Sequence, residues 1–171
     1  MACSNITAGF INDCLDANGG IDKIFIANGP VESITEAAGL VSAITVGGSA
    51  LVPADFFVFE TPRQSSTIVE TATISQENGT VFYDQALTMV FNKMEAAKRN
   101  QLLLMAEATS MVVVAKDNNG KYWSIGLERG AFTSAATATS STAYGDRNGY
   151  EITISGSEAA PMYEVDGTIV E

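Results

Sequence analysis

Alternation of apolar and polar positions recurs along most of this chain and gives way to a helical period once. From Val81 to Asn92, Val81, Tyr83, Leu87, Met89 and Phe91 fall on one side of an extended segment. Asp84, Ala86, Thr88 and Asn92 fall on the other, with Phe82 and Val90 among them. A period of two predicts a long strand with one core face and one face suited to water or a wet channel. The stretch before it, Gln64 to Gln76, is weakly apolar and rich in Thr and Ser. Ile68, Glu70, Ala72 and Ile74 lie on one side, and Val69, Thr71, Thr73 and Ser75 on the other. Glu77-Asn78-Gly79-Thr80 joins the two as a hairpin, Asn-Gly supplying the positive φ of a type I′ turn.

The helical period follows directly. Asn92 with Glu95 three residues later has the form of a capping box, in which the Asn side chain accepts from free amides at a helix start. Met94, Ala97 and the run Leu102 to Met105 give an apolar face, so a helix over about 92–108 is expected to pack on the sheet.

The remaining pattern is mostly strand. Ile21 to Ala27 reads as a short strand closed by Asn28-Gly29-Pro30. Ser33 to Val46 reads as a turn and then a strand from Leu40, ending at Gly47-Gly48. Ala54 to Thr61 carries Phe56, Phe57, Val58 and Phe59 in a row before Pro62, and an unbroken apolar run implies cover on both faces, one of which a partner subunit can supply. Met111 to Lys116 is a buried type of strand, Asp117-Asn118-Asn119-Gly120 a hairpin turn, and Lys121 to Leu127 its return, with Trp123, Ile125 and Leu127 on the core side. Tyr150 to Ser155 is a last strand. Between Arg129 and Tyr144 lies a long Ser/Thr/Ala-rich connection, read either as disorder or as a segment that orders against a neighbour. The pattern thus predicts a mainly β chain with one helix, divided into an N-terminal arm (1–18), one β domain (19–159) and a C-terminal tail (160–171).

Composition adds a hint of assembly. Charged residues are 17% of the 171, against about 25% in an ordinary soluble domain, so part of the surface is expected to meet another subunit. Ser- and Thr-rich strands alone could also keep a monomer soluble. The net charge is −11, and only Lys93, Lys98 and Arg99 cluster among nine basic residues. Tight nucleic-acid binding needs a basic stripe, which is missing, whereas an acidic surface past which nucleic acid slides stays open.

Two cysteines, Cys3 and Cys14, form no disulfide framework and are read as reduced thiols in preference to a bridge. The first twenty residues lack the basic start and apolar run of a signal peptide, and no stretch reaches the ~20 apolar residues of a membrane span. The sequons at Asn5 and Asn78 are accordingly read as chance, and the chain as one made and assembled in the cytosol.

The chain has no histidine. That removes the commonest general base, the Ser-His and Cys-His pairs and the usual zinc ligand set. Gly120-Lys121-Tyr122 lacks the upstream glycine spacing of a P-loop, and Asp117-Asn118-Asn119-Gly120 lacks the alternating ligands and closing Glu of a calcium loop. A carboxylate pair for glycoside hydrolysis could arise by chance among 20 acids, but no aromatic-lined cleft accompanies one. No catalytic residue, metal site or cofactor is expected.

The order of elements, with Gly19-Gly20-Ile21, the Glu77-to-Met105 strand–helix block, Asp117-Asn118-Asn119-Gly120-Lys121-Tyr122-Trp123 and Gly145-Asp146-Arg147-Asn148-Gly149-Tyr150, resembles the tail tube (major tail) proteins of tailed bacteriophages over about Gly19 to Glu158. The resemblance implies a β-sandwich or barrel of two packed antiparallel sheets with one flanking helix. It implies six subunits in a ring, rings stacked into a tube, and DNA conducted through the lumen without specific binding. Other tail proteins would be partners, the virion tail the location and the host cytoplasm the place of assembly. On that reading Glu70 and Asp84 face the lumen. Phe56, Phe57 and Phe59 form a subunit interface. Thr133, Ser134, Thr137, Thr139, Ser140 and Tyr144, with residues 1–18, make ring-to-ring contacts.

Two rival readings belong beside it. One is another virion ring component, such as a neck, tail-completion or decoration protein. The other is a carbohydrate- or surface-binding β-sandwich module, which needs exposed aromatic residues on one face.

Overall fold

The computed structural model describes residues 6–10, 15 and 17–171; Cys3, Cys14 and the Asn5 sequon lie outside them. Two strands with continuous apolar runs organise the rest. β1 (Ile21–Asn28) and β8 (Met111–Asp117) pair antiparallel, Phe25 opposite Val114 and Ile26 opposite Val113. Ile24, Ile26, Val113 and Ala115 belong to one buried cluster, and Phe25, Ala27, Val112 and Val114 to another. Both faces of this pair are therefore core, as an unbroken apolar run requires.

Around them runs the larger sheet. β2 (Val31–Ala37), β3 (Leu40–Val46), β12 (Glu164–Val165), β9 (Tyr122–Ile125), β8, β1 and β5 (Phe57–Glu60) follow in that order, with the short β4 (Ser49–Ala50) paired to β3. Every pairing is antiparallel except β12 beside β3. Val41 and Ile44 of β3 share a buried cluster with Phe25 and Val114, so the sheet curls back over its own centre. The smaller sheet has the order β10 (Phe132–Thr139), β11 (Gly149–Glu158), β7 (Thr80–Asn92), β6 (Thr67–Ser75) and is antiparallel throughout. Neither sheet closes into a barrel. Leu87, Met89, Ile152 and Ile154 of the small sheet meet Ile24, Ile26, Val113 and Ile125 of the large one in the core between the layers.

The protein is thus mainly β, two packed sheets with one helix, as the pattern and the resemblance lead one to expect. The helix, α1 (Ala96–Glu107), buries Met105 and lays Leu102 against the same core.

Several local expectations are corrected. Asn92 ends β7 and caps nothing; the helix begins four residues later, and Glu95 at its N-cap makes no capping bond. A left-handed Lys93 (φ 65°) turns the chain instead, with its amide donating to Asn148 O at 2.6 Å and Lys98 Nζ donating to Asn92 O at 2.6 Å. The β6–β7 hairpin forms, but four residues separate the paired Ser75 and Thr80, and only Gly79 is left-handed. A type I′ turn needs two such residues in a two-residue loop, so the hairpin uses a longer turn.

Val31 to Ala37 is strand, not turn. Trp123 is half-buried, and Leu127 lies in the opposite cluster from Ile125, because Gly126 (φ 63°) turns the chain between them. Half of the Arg129–Tyr144 connection is no loop: β10 occupies Phe132–Thr139. Residues 160–171 are no detached tail either. They supply β12, and Ile169 and Val170 are buried beside Phe25.

Candidate functional site: the outer face of the small sheet

The small sheet turns one face to the core and the other away from it. Its strand register puts Asn92, Val90, Thr88, Ala86 and Asp84 of β7 level with Gly149, Glu151, Thr153, Ser155 and Ser157 of β11. Thr139, Thr137 and Ala135 of β10 continue the rows on one side, and Val69 and Thr71 of β6 on the other. The result is a broad field of small and β-branched side chains that stands clear of the hydrophobic core. Of these, Val90, at 5% exposure, and Gly149 are closed over by their neighbours.

Its charge is one-sided. The four strands carry Glu70, Asp84, Glu151 and Glu158 and neither Lys nor Arg. Asp84 is exposed and accepts from Ser157 Oγ at 2.6 Å, which holds its carboxylate on this face. Glu151 is exposed and pairs with Arg147 of the β10–β11 loop at 2.8 Å.

Glu70 is not on this face. It is the cross-strand partner of Gln85, whose side chain is 3% exposed. Glu70 Oε2 accepts from Met162 N at 2.6 Å and from Gln85 Nε2 at 3.3 Å, while Gln85 Oε1 accepts from Gly126 N at 2.9 Å. Glu70 therefore ties the small sheet to the other layer of its own chain. The period of two already contained this result, since Glu70 shares a side with Ile68, whose partner Leu87 is fully buried.

Glu158 is a second inward acid. It is 3% exposed; Oε1 accepts from Arg129 N at 3.0 Å, and Oε2 has no hydrogen-bond partner among the described residues. Burial pushes its carboxyl above the usual range, partly offset by the backbone bonds it accepts.

Both edges of this sheet are open. Among the described residues β6 and β10 each pair on one side only, and neither contains Pro or Lys. Long edge strands without such blockers are templates for pairing with another chain. At one end, β11 accompanies β7 only as far as Tyr83. Beyond that the β6–β7 hairpin stands as a two-stranded ribbon, exposing Ile74 (69%), Val81 (50%) and Phe82 (39%). The other end carries the β10–β11 loop.

The remaining sequence-level candidates separate. Phe56 is buried, Phe57 is 60% exposed on β5, and Phe59 packs on Phe91 with ring centroids 6.0 Å apart. The three thus do not form one face. Thr133, Ser134, Thr137 and Thr139 are strand residues; Thr133 Oγ1 points inward and donates to Met105 O at 3.0 Å, and Ser134 Oγ lies 2.8 Å from Ser155 Oγ. Ser140 and the fully exposed Tyr144 do sit in the β10–β11 loop.

The sequence reading missed the open edge at β10 and the projecting ribbon. Alternation of Ala with Thr over 136–139 was the available signal for the first. The exposed aromatics Phe57, Phe82, Phe132 and Tyr144 are dispersed, Phe82 and Phe132 on the same sheet face but two strands apart, so no aromatic platform for a sugar forms among the described residues.

No family model matches the chain, and no curated protein matches it. Among solved structures the chain is similar to one in the "Virion of native gene transfer agent (GTA) particle", at 10% identity and a TM-score of 0.40, over 68% of this chain and 93% of that one.

Proposed function

We propose that this chain is a non-enzymatic structural subunit of a phage-like virion, and more narrowly a tail tube protein. Copies join through the small sheet into rings of six, and rings stack into a tube that conducts DNA. The observation that carries the reading is the small sheet itself: an outer face with no Lys or Arg in its strands, flanked by two unblocked edges.

Each of these features has a use in a tube. If β6 of one copy pairs with β10 of the next, ring closure removes both edges at once. Six four-stranded sheets make about 24 strands, which at ~4.8 Å spacing enclose a backbone ring about 37 Å across before tilt widens it. Side chains on the inner wall leave roughly 27 Å. A wall whose strands carry no Lys or Arg, and whose neighbouring Arg147 is tied to Glu151, offers phosphates little to bind, and at a screening length of ~8 Å its exposed Asp84 repels them weakly. DNA then passes without sticking. The projecting β6–β7 ribbon at one end, with Ile74, Val81 and Phe82 exposed, and the β10–β11 loop at the other supply ring-to-ring contacts. Other tail proteins would start and end the stack, in the host cytoplasm before virion completion.

The test is negative-stain electron microscopy of the purified chain with its mass in solution by light scattering. Hollow rings or tubes support the reading. Single rings that never stack favour a neck or completion component, and a monomer at high concentration contradicts it.

A further inference from the structure

Five Asn-Gly pairs occur in the chain, at Asn18, Asn28, Asn78, Asn119 and Asn148. Asn followed by Gly is the pair most able to modify itself, because glycine leaves its amide nitrogen uncrowded. That nitrogen gives up its proton to solvent base and attacks the side-chain carbon Cγ of the Asn. Nδ2 takes up a proton and leaves as ammonia, and a succinimide ring remains. Water then opens the ring. Breaking the bond from nitrogen to Cγ yields Asp, whereas breaking the bond to the main-chain carbonyl carbon yields isoaspartate, with the chain routed through the side chain. Either product exchanges an amide for a carboxylate. The ring closes only where the carboxamide is free to swing and the peptide plane after it is free to rotate.

The fold withholds that freedom at four of the pairs. Asn119 Oδ1 accepts from Asn18 N at 2.7 Å, and its Nδ2 donates to Asn18 O at 2.9 Å and to Asp117 Oδ2 at 3.3 Å. Gly120 N donates to Asp117 O at 3.1 Å. The same bonds hold Asn18 on both sides, and Gly19 O accepts from Asn118 Nδ2 at 2.6 Å. Asn28 closes β1 opposite Met111, and Gly29 N donates to Ser110 O at 3.4 Å. Asn148 Oδ1 accepts from Met94 N at 3.3 Å and its carbonyl from Lys93 N at 2.6 Å, while Gly149 is buried opposite Asn92.

Asn78 is the exception. It stands at the tip of the β6–β7 ribbon, where residues 76–80 are all exposed. Its amide donates to Ser75 Oγ at 3.3 Å, but among the described residues neither its side chain nor the Gly79 amide has a hydrogen-bond partner. We infer that Asn78–Gly79 is a self-modification site, at which the folded protein converts the Asn78 amide to Asp or isoaspartate with water as the only co-reactant. The product sets a second carboxylate beside Glu77 at the ribbon tip. The consequence rests on the proposed stacking of rings: the tip belongs to that contact, so conversion weakens stacking with age.

Trypsin, cutting after Lys and Arg, delivers the five pairs on five separate peptides, residues 1–23, 24–63, 64–93, 117–121 and 148–171. The full chain is held in mildly alkaline buffer, either folded or in urea, and its peptides are mapped by mass for the exchange of ammonia for water. In the folded protein peptide 64–93 is expected to convert about tenfold faster than the other four, which must first open locally, and in urea the five rates should draw together. Asn78→Gln should abolish that conversion, which sets aside Asn92 on the same peptide. Conversion led by another peptide, or a peptide 64–93 that stays inert in the folded protein, overturns the site. Asn78→Asp protein is expected to form shorter tubes than wild type, and equal lengths overturn the effect on stacking. A chain that never forms tubes overturns the proposed function, while the mass map still decides the modification.

Discussion

Asp84 and Glu70 lie on opposite faces of the β6–β7 hairpin, Asp84 level with Thr71 and Glu70 level with Gln85. Asp84 stands with Ser157 on the outer field, and Glu70 receives Met162 N and Gln85 Nε2 on the inner side. One acid is thus available to anything passing over the sheet. The other holds the two layers of the chain together.

The two acids should therefore separate in mutagenesis. Glu70→Ala leaves the Met162 amide and the Gln85 side chain short of an acceptor, at a cost of about 1–3 kcal/mol. Asp84→Ala at an exposed position should stay within ~0.5 kcal/mol of wild type. Urea denaturation of both variants checks this, and equal losses would contradict the assignment.

Reversing the exposed acid should act on transport and leave folding alone. Assembled Asp84→Lys protein is expected to retain DNA at low salt, with retention falling steeply as salt rises, because each contacted phosphate releases counterions. Wild-type assemblies should show no such retention in the same electrophoretic assay. Identical behaviour would remove Asp84 from the wall.

Gly156 sets the spacing between the layers. A Cβ there would stand 2.9 Å from Gly126 Cα and 3.2 Å from Gly126 N, backbone atoms of the opposite layer. Gly156→Ala must push β11 off Gly126 and should cost about 1–3 kcal/mol, measured as a lower denaturation midpoint. An unchanged midpoint would mean that the layers have room to part.

Two carboxyls should give opposite pH responses. Glu171 is held down to about 2, chiefly by the hydrogen bond from Lys116, then by Tyr122 and Lys23. Its contribution is complete above the ordinary carboxyl value of ~4.3 and is lost as pH falls toward 2. Salt should screen it, because a third of the side chain is exposed. Glu158 is shifted upward by burial, so its contribution is complete at acid pH and is lost as pH rises through its folded value. Glu171→Gln should lower the Tm at pH 7 and converge with wild type near pH 2. Glu158→Gln should raise the Tm at pH 7, with the gain fading toward pH 4. Thermal scans from pH 7 to pH 2 decide both.

Strands with strong alternation or unbroken apolar runs were legible in the sequence: β1, β7, β8 and β11 all stand where the pattern places them. β10 was not, because Thr and Ala over 133–138 carry too little hydrophobic contrast to separate an edge strand from a loop. Its pairing with β11 depends on contacts distant in sequence, to which local pattern is blind. The run Phe56 to Phe59 implied two covered faces, one of them supplied by a partner subunit. Within the single chain β5 is an edge, and Phe57 and Val58 are left open. The site was half legible. Its polar face could be read from Asp84, Ala86 and Thr88, whereas the open edges could not, since edges belong to strand order and not to any single strand.

The most direct test of the central claim is a cryo-electron microscopy map of the assembled protein, read for the surface that faces the axis. The expected result is a ring of six in which Asp84, Thr88 and Thr153 line the lumen and β6 of each copy pairs with β10 of the next. A map with the large sheet or α1 turned to the axis, or with β6 and β10 unpaired, would contradict the account.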